Sequence, residues 1–119
     1  MKPENIMLMK EEQIIVKIAD LGISKVLNGQ GRRSDGGTLF YMPPEAFSKQ
    51  KIDYTCDIWA LGCILHEMIT GRKLYMEGDD PRSIENSENH VKQRILNTVP
   101  PRLPDIFSRP IRYAVYLML

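Results

Sequence analysis

Apolar and polar residues follow one another in blocks at the start of the chain and predict a β-hairpin. Ile6–Met9 is apolar, Lys10–Gln13 forms a polar turn, and Ile14–Ile18 is rich in β-branched residues. Two such runs separated by a short polar turn are typical of antiparallel strands. Farther along, Leu27–Gly37 carries four glycines, two arginines and no periodicity, which favours a loop.

The strongest helical pattern covers Asp57–Ile69. Nine of the twelve residues that follow Asp57 are apolar, and at helical spacing they cover all sides of a helix. The run is too short and too broken by polar residues to cross a bilayer. We therefore expect a central helix that is buried by protein on every side, with Gly71 placed to end it as a C-terminal cap.

Prolines and polar runs divide the rest of the chain. The two prolines before Glu45 predict an extended turn, which a short helical segment around Glu45–Ser48 follows. Glu77–His90 is polar and predicts a surface loop or linker. Another helix is predicted to start at Ile111–Leu119, and a short amphipathic helix is predicted from the apolar residues Val91, Ile95 and Leu96.

Composition narrows the class of protein. The 119 residues suffice for one small domain, and 43% apolar with 26% charged residues is ordinary for a soluble globular protein. Sixteen basic and fifteen acidic side chains give a net charge of +1, which argues against binding to nucleic acid or an anionic membrane. The longest apolar run has seven residues and the start of the chain lacks a secretory signal, so we expect a cytoplasmic protein.

The cysteines and histidines predict neither a disulfide nor a metal site. Cys56 and Cys63 are seven residues apart in the predicted helix, which puts their Cα atoms about 10.5 Å apart. Disulfides need less than about 7 Å, so both thiols are expected to stay free. His66 and His90 have no cluster of ligating side chains near them in the sequence, and a zinc site is not expected.

Candidate chemistry lies at the open end of the predicted hairpin. Lys2–Asn5 precedes the hairpin and Asp20–Gly22 follows it. Because the two ends of a hairpin meet, the Asn5 amide and the Asp20 carboxylate can lie close together, and such oxygens are ligands that Mg²⁺ prefers. Lys2 can neutralise charge on a transferring phosphoryl group. Taken singly, each segment is equally well explained as an ordinary turn or loop.

Four segments, in this order, resemble motifs of the eukaryotic protein kinase family of the serine/threonine type. Lys2–Asn5 resembles the second half of the catalytic loop, His-Arg-Asp-x-Lys-Pro-Glu-Asn. Asp20–Gly22 resembles Asp-Phe-Gly with Leu in place of Phe, and Gly37–Glu45 is similar to Gly-Thr-Pro-x-Tyr-Met-Ala-Pro-Glu. Asp57–Gly62 resembles the start of the long buried helix of the larger lobe.

The resemblance implies a fold and a domain organisation. Residues 1–119 are expected to be a partial protein kinase domain, with the smaller lobe and the end of the larger lobe absent from this stretch. The fold class is α+β by parentage and mainly α here. One short β-hairpin is expected to be followed by a helical bundle around a buried central helix.

The resemblance also assigns roles in phosphoryl transfer. Asn5 and Asp20 would hold Mg²⁺ on the phosphates of ATP, and Lys2 would steady the γ-phosphate. Thr38 would help to position the substrate hydroxyl, and Met7 would lie beneath the adenine ring. These roles imply transfer of the ATP γ-phosphoryl group to Ser or Thr hydroxyls of protein substrates, while the subfamily and the particular substrate stay open.

Other residues would support this site from the core. Leu21 would pack in the hydrophobic column that marks the active state, and Ile64 and Met68 would support the column beneath adenine; together with Met7 they are expected to be core residues. Asp57 would hydrogen-bond the catalytic-loop backbone, although a carboxylate is favoured at any helix start.

Two further expectations concern charge. Glu45 would need an arginine partner, for which Arg109 and Arg112 are the candidates in this chain. The resemblance implies an activating phosphate in this stretch, which makes Ser34 a candidate phosphorylation site. A phosphoserine needs arginines on which to dock, and Arg32 and Arg33 are either those groups or simply a solvated face.

The chain departs from the family pattern by what it lacks. It contains no Gly-rich loop, no strand lysine with its partner glutamate, and no catalytic aspartate, so we expect it to be inactive alone. Met1 matches a position inside the catalytic loop and is expected to be an internal residue; upstream DNA without an in-frame His-Arg-Asp would reject this. A pseudokinase-like, non-catalytic interaction module and a non-functional truncated fragment are the alternatives.

Overall fold

The computed structural model describes residues 1–19, 38–48, 53–78, 83 and 86–119. Within these ranges a hairpin precedes three helices, which is the architecture predicted from the sequence. None of these helices has the length and apolar character that crossing a membrane requires. The elements are strands β1 (Ile6–Lys10) and β2 (Ile14–Ile18), helices α1 (Thr55–Thr70), α2 (Glu88–Asn97) and α3 (Arg109–Met118), and the 3₁₀ turns Pro3–Asn5, Thr38–Tyr41 and Pro44–Phe47.

The hairpin confirms the prediction from the blocks of apolar residues. Its strands pair antiparallel, in a register that opposes Ile6 to Ile18 and Lys10 to Ile14. Both faces of this sheet are largely exposed, because the described elements form no second layer over it. Met7, expected in the core, is 49% exposed, so that expectation was wrong.

Helix α1 begins and ends at residues suited to helix termini. At its start the Asp53 carboxylate accepts hydrogen bonds from the Thr55 N–H at 2.8 Å and from the Thr55 hydroxyl at 2.6 Å. The first of these bonds satisfies the Thr55 N–H, one of the backbone donors in the first turn of a helix that have no partner within the helix. At its end Gly71 has φ 72° and donates its N–H to the Glu67 carbonyl at 2.7 Å. This confirms the predicted glycine cap, since glycine adopts the left-handed conformation without a Cβ clash.

Burial of α1 is incomplete, which corrects the expectation of protein on every side. Its buried residues are Cys56, Ala60, Gly62, Cys63, Ile64 and His66, and Ile64 is 2% exposed, as predicted for a core residue. Ile58 is 49% exposed. Met68 is 73% exposed, so its assignment to the core was wrong. It lies one turn beyond Ile64 on nearly the same stripe, where the described core has ended.

The core lies between α1, α2 and the Thr38–Tyr41 turn. Phe40 and Val91 are completely buried there and pack in one cluster with residues of α1. Val91 and Ile95 are one helical turn apart, and both are buried as the amphipathic pattern predicts. Leu96 is 42% exposed, because the next residue along a helix points about 100° away from Ile95.

Helix α3 lies against α1 at a glycine. A Cβ atom at Gly62 would be 2.9 Å from the Cβ atom of Met118 and 3.0 Å from Cδ2 of Leu119. Such separations are shorter than normal van der Waals contacts. Gly62 therefore lets the two helices approach each other closely, whereas any larger residue would push them apart.

In the described part of the polar stretch Glu77–His90, Asn86 is buried and Glu88–His90 begins helix α2, which corrects the prediction of a surface loop there. Asn86 is 4% exposed; its side chain accepts the Glu77 N–H at 2.8 Å and donates to the Glu77 carbonyl at 2.6 Å. Arg94 of α2 donates to Asn86 Oδ1 at 2.9 Å and to the Tyr75 carbonyl at 2.9 Å. These bonds attach the segment after α1 to helix α2.

Candidate functional site

The Lys2–Asn5 segment forms a tight turn at the open end of the hairpin. Pro3 starts a 3₁₀ turn, and the Asn5 N–H donates to the Lys2 carbonyl at 3.0 Å. The Asn5 carbonyl in turn accepts the Ala19 N–H at 2.7 Å. Asn5 and Lys2 are both half-buried in this arrangement. The backbone of Asn5 therefore lies beside the last described residue of the hairpin segment.

Three predicted site residues fall outside the described ranges. Asp20 follows Ala19 in the sequence, and neither it nor Leu21 or Ser34 belongs to the described part of the chain. The predicted pairing of the Asn5 amide with the Asp20 carboxylate therefore stays a prediction. Within the described ranges, no three or more His, Cys, Asp or Glu side chains are grouped so that they could hold a metal ion.

A hydrogen bond joins the start of the chain to helix α1. The Met1 ammonium donates to Asp57 Oδ1 at 3.4 Å, and the Asp57 side chain is 43% exposed. Ion pairs with this exposure contribute about 0–1 kcal/mol, so the contact positions the segment more than it stabilises the fold. Asp57, which the resemblance assigned to the catalytic-loop backbone, here accepts from the nitrogen of the residue before Lys2.

The Thr38–Tyr41 turn is fixed to α1 by a buried tyrosine. The Tyr41 hydroxyl donates to Glu67 Oε2 at 2.5 Å, and Tyr41 itself is 4% exposed. The Lys73 ammonium lies 5.3 Å from the ring centroid of Phe40 and 5.8 Å from that of Tyr41, within the range of a cation–π interaction. Thr38, half-buried, begins this turn and is held by the anchors that follow it.

Burial shifts the pKa of several groups around this turn. The pKa of Tyr41 lies far above its usual value because burial, the bond to Glu67 and the negative charges of Glu67 and Glu4 all disfavour the phenolate. Burial also raises the pKa of the Cys63 thiol to about 12, and both cysteines are free.

Glu45 lies in the Pro44–Phe47 turn, where its backbone carbonyl accepts the Ser48 N–H at 3.3 Å. Arg112, one candidate partner for the Glu45 carboxylate, instead forms an ion pair with Asp105. In the described part of the chain the Glu45 carboxylate forms no ion pair with Arg109 either. The suggestion that one of these arginines replaces a family partner of Glu45 was therefore wrong.

Sequence reasoning missed the side chains that hold the turn in place. Tyr41 lies inside the motif Gly37–Glu45, which assigns it no contact, and Glu67 is one of the polar residues that interrupt the apolar run 58–69. The two residues are 26 positions apart in the chain. No periodicity connects positions so far apart, so the contact had no local signal in the sequence.

Comparisons with known proteins agree with the motifs. The protein kinase domain, as a family model, matches residues 1–113. Over the whole chain, the sequence is 32% identical to serine/threonine-protein kinase Nek4 of Mus musculus and covers 14% of that protein. It is 34% identical, over 91% of the chain, to an Aurora kinase of Dictyostelium discoideum and covers 27% of it.

A bacterial relative extends the comparison. The chain is 35% identical, over 92% of its length, to serine/threonine-protein kinase PknE of Mycobacterium tuberculosis, of which it covers 19%. It thus spans less than a third of each of these relatives. Since the family match reaches from residue 1 to residue 113, and the segments that match its motifs include the turns around Asn5 and Tyr41, the chain belongs to the protein kinase family.

Proposed function

We propose that this chain is part of a serine/threonine protein kinase that transfers the γ-phosphoryl group of ATP to Ser or Thr hydroxyls of protein substrates. The supporting observation is that motif segments distant in sequence converge. The backbone of Asn5 bonds Ala19 at 2.7 Å, the residue before Asp20, and Met1 bonds Asp57 at 3.4 Å. The relatives Nek4 and PknE, both named serine/threonine-protein kinases, support the same class of acceptor.

Asn5 and Asp20 are the proposed Mg²⁺ ligands. The donor set fits the metal, because an amide and a carboxylate oxygen are hard ligands. The bond from Ala19 to Asn5 supports this, since it brings the chain that leads into Asp20 beside Asn5. When bound, Mg²⁺ neutralises charge on the ATP phosphates, and Lys2 adds a positive charge for the γ-phosphate.

Met7 and Thr38 are proposed to contact the two reactants. Met7 is 49% exposed on β1, which leaves an apolar surface free to pack beneath adenine. Thr38 would position the substrate hydroxyl, and the buried anchors Phe40 and Tyr41 keep its turn in one place. A fixed turn is required for this role, because an acceptor must be held close to in-line geometry.

Supporting roles complete the proposal. Asp57, Leu21 and Glu45 are structural residues of the domain, and Ser34 is a regulatory phosphorylation site. We place the protein in the cytoplasm. Residues 1–119 are proposed to be part of the larger lobe of the domain, in keeping with the 14–27% of the length of these relatives that the chain covers.

We propose that residues 1–119 by themselves do not transfer phosphate. A general base contributes about 10²–10⁴ in rate, and this chain has no His-Arg-Asp sequence to provide one. The test incubates the purified chain with radiolabelled ATP, Mg²⁺ and a mixed protein substrate. No label above a boiled control is expected, and label that Asn5→Ala abolishes would contradict the proposed inactivity.

The metal ligands are tested separately. Mn²⁺ is added with ATP to the full chain, and paramagnetic broadening of the amide signals of Lys2, Glu4 and Asn5 is followed by NMR. Broadening is expected in the unmodified chain and in the control Asn97→Ala, whose side chain bonds Gln93 on an exposed part of α2. Broadening that is equal in Asn5→Ala, or absent from the unmodified chain, would refute the proposed ligand role.

A non-catalytic interaction module is the second candidate, and one observation favours it. Most of the hairpin is exposed although it is apolar: Leu8 is 69%, Ile14 72% and Val16 60% exposed. Exposed apolar patches of this kind commonly mark interaction sites. A pull-down in which Leu8→Glu loses a specific partner, together with no Mn²⁺–ATP binding, would favour the module over the kinase.

A further inference from the structure

A cleft lies between the segment 100–103 and helix α3, and none of the residues assigned to phosphoryl transfer lines it. Its volume is about 430 Å³, within the size range of ligand-binding clefts. Arg102 of the proline-rich segment lines it, as do Arg109 and Arg112 of the first turn of α3. No acidic residue is among the described residues that line the cleft.

The charges of these arginines are only partly balanced. Arg112 pairs with Asp105, whose side chain is 92% exposed, outside the lining of the cleft. The Nε atom of Arg112 is buried and has no hydrogen-bond partner among the described residues. Arg102 and Arg109 are exposed. Together these groups leave an excess of positive charge along one side of the cleft.

The arginines of α3 lie at the end of the helix where positive charge does not stabilise it. Arg109 is the first residue of the helix, and Arg112 is in its first turn. The N-terminus of a helix carries partial positive charge, which disfavours cations and attracts anions. The helix dipole and the arginines therefore add their positive potential in the same cleft, where a bound anion would be favoured by both.

The remaining wall of the cleft is aromatic and apolar. Tyr113 is 62% exposed and Tyr116 is 51% exposed, and Leu119 lines the same cleft. Arginine and tyrosine are among the residue types enriched at the energetically important centres of protein interfaces. The lining thus combines an anion-binding wall with a surface for an apolar side chain.

We propose that this cleft binds an acidic peptide segment of a partner protein. Carboxylates of the segment would pair with the exposed guanidinium groups of Arg102 and Arg109, and a neighbouring apolar side chain would pack on Tyr113 and Tyr116. A nucleic acid is disfavoured, because it needs a long basic track and the whole chain has a net charge of +1. The proposal is independent of whether the chain transfers phosphate.

The test uses a fluorescein-labelled peptide, Glu-Glu-Leu-Phe-Glu-Glu, and a twin with Gln in place of every Glu. Fluorescence anisotropy of the labelled peptides is measured against the full chain at low and at high salt. We expect the acidic peptide to bind about tenfold or more tightly than its twin, with the difference shrinking as salt screens the charges. Equal binding of the two peptides, or no binding of either, would overturn the proposal.

Matched variants locate the binding surface. Arg109→Glu is expected to weaken binding of the acidic peptide about tenfold or more, whereas Lys17→Glu makes the same change of charge on the hairpin and should change it less than about twofold. A glutamate at the start of α3 suits the helix dipole, so Arg109→Glu should keep its circular-dichroism spectrum. If the spectrum of Arg109→Glu changes, Arg102→Gln is used in its place, because residue 102 lies outside the helix. Equal effects of the cleft variants and of Lys17→Glu would show that the peptide binds elsewhere.

Discussion

Removal of the Tyr41 hydroxyl tests whether its bond to Glu67 holds the Thr38–Tyr41 turn on helix α1. The hydroxyl donates to Glu67 Oε2 at 2.5 Å from a side chain that is 4% exposed. In Tyr41→Phe the ring keeps its buried position and its contact with the Lys73 ammonium, 5.8 Å from the ring centroid. The variant therefore removes one hydrogen bond and little else.

The magnitude follows from the charge of the acceptor. A hydrogen bond to a charged group contributes about 1.5–3 kcal/mol to stability. Glu67 is half-buried, so water can partly replace the lost donor, which favours the lower end of that range. We expect Tyr41→Phe to lower the free energy of unfolding by about 1.5–2 kcal/mol at neutral pH. That is a large part of the total of about 5–15 kcal/mol for a typical domain.

The same variant has a second effect at high pH. Folding raises the pKa of Tyr41, so above its ordinary pKa of about 10 the unfolded chain loses a proton that the folded chain retains. The stability of the unmodified protein is therefore complete below about pH 10 and falls above it, by up to about 1.4 kcal/mol per pH unit from this group. Tyr41→Phe lacks this loss, so the difference between the two proteins shrinks as the pH rises.

Urea denaturation followed by circular dichroism measures both effects. Curves are recorded at neutral pH and above pH 10 for the unmodified chain, Tyr41→Phe and the control Tyr54→Phe, whose side chain is 82% exposed. The control should match the unmodified protein at neutral pH. The reasoning would be refuted if the free energy of unfolding of Tyr41→Phe were within about 0.5 kcal/mol of that of the unmodified protein and both proteins lost the same stability above pH 10.

Three further predictions concern the packing that surrounds the site. Asn86→Ala removes the hydrogen bonds of a buried side chain to the Glu77 backbone and to Arg94 and should cost about 1–3 kcal/mol in urea denaturation. The exposed Asn97→Ala should cost little, and equal losses would contradict the role of the Asn86 bonds. Gly62→Val should lower the thermal midpoint through a clash with α3 worth about 1–3 kcal/mol, and an unchanged midpoint would show that the helices can separate freely. Burial lowers the pKa of His66 in the folded protein. The stabilising contribution of His66 should therefore be complete above the ordinary histidine pKa of about 6.5 and fall as the pH drops below that value. If the urea midpoint of His66→Gln falls with acid as much as that of the unmodified protein, the prediction is wrong.

The elements that could be predicted are those whose signals lie within a few neighbouring residues. The hairpin follows from two apolar runs around a polar turn, and the end of α1 follows from Gly71, which has φ 72°. The buried pair Val91 and Ile95 follows from helical spacing. In each case the chain within one or two turns contains the whole physical cause.

The candidate site could be predicted only in part. The motifs around Asn5 and Thr38 identify the family because their residue types and order are specific. The contacts that hold the elements together could not be found in the same way, because Tyr41 and Glu67, or Asn86 and Glu77, meet through the fold and not through any repeat. A polar residue such as Asn86 suggests solvent in the sequence, and only its partners reveal that it is buried.

The sequence by itself determined the order of the elements, the family motifs and the glycine that ends α1, since these depend on local backbone preferences and on the identities of residues. Only the tertiary structure decided which apolar side chains are covered. Met7 and Met68 are as hydrophobic as the residues of the core, yet they are 49% and 73% exposed. Hydropathy belongs to a side chain, whereas burial depends on what packs against it from distant parts of the chain.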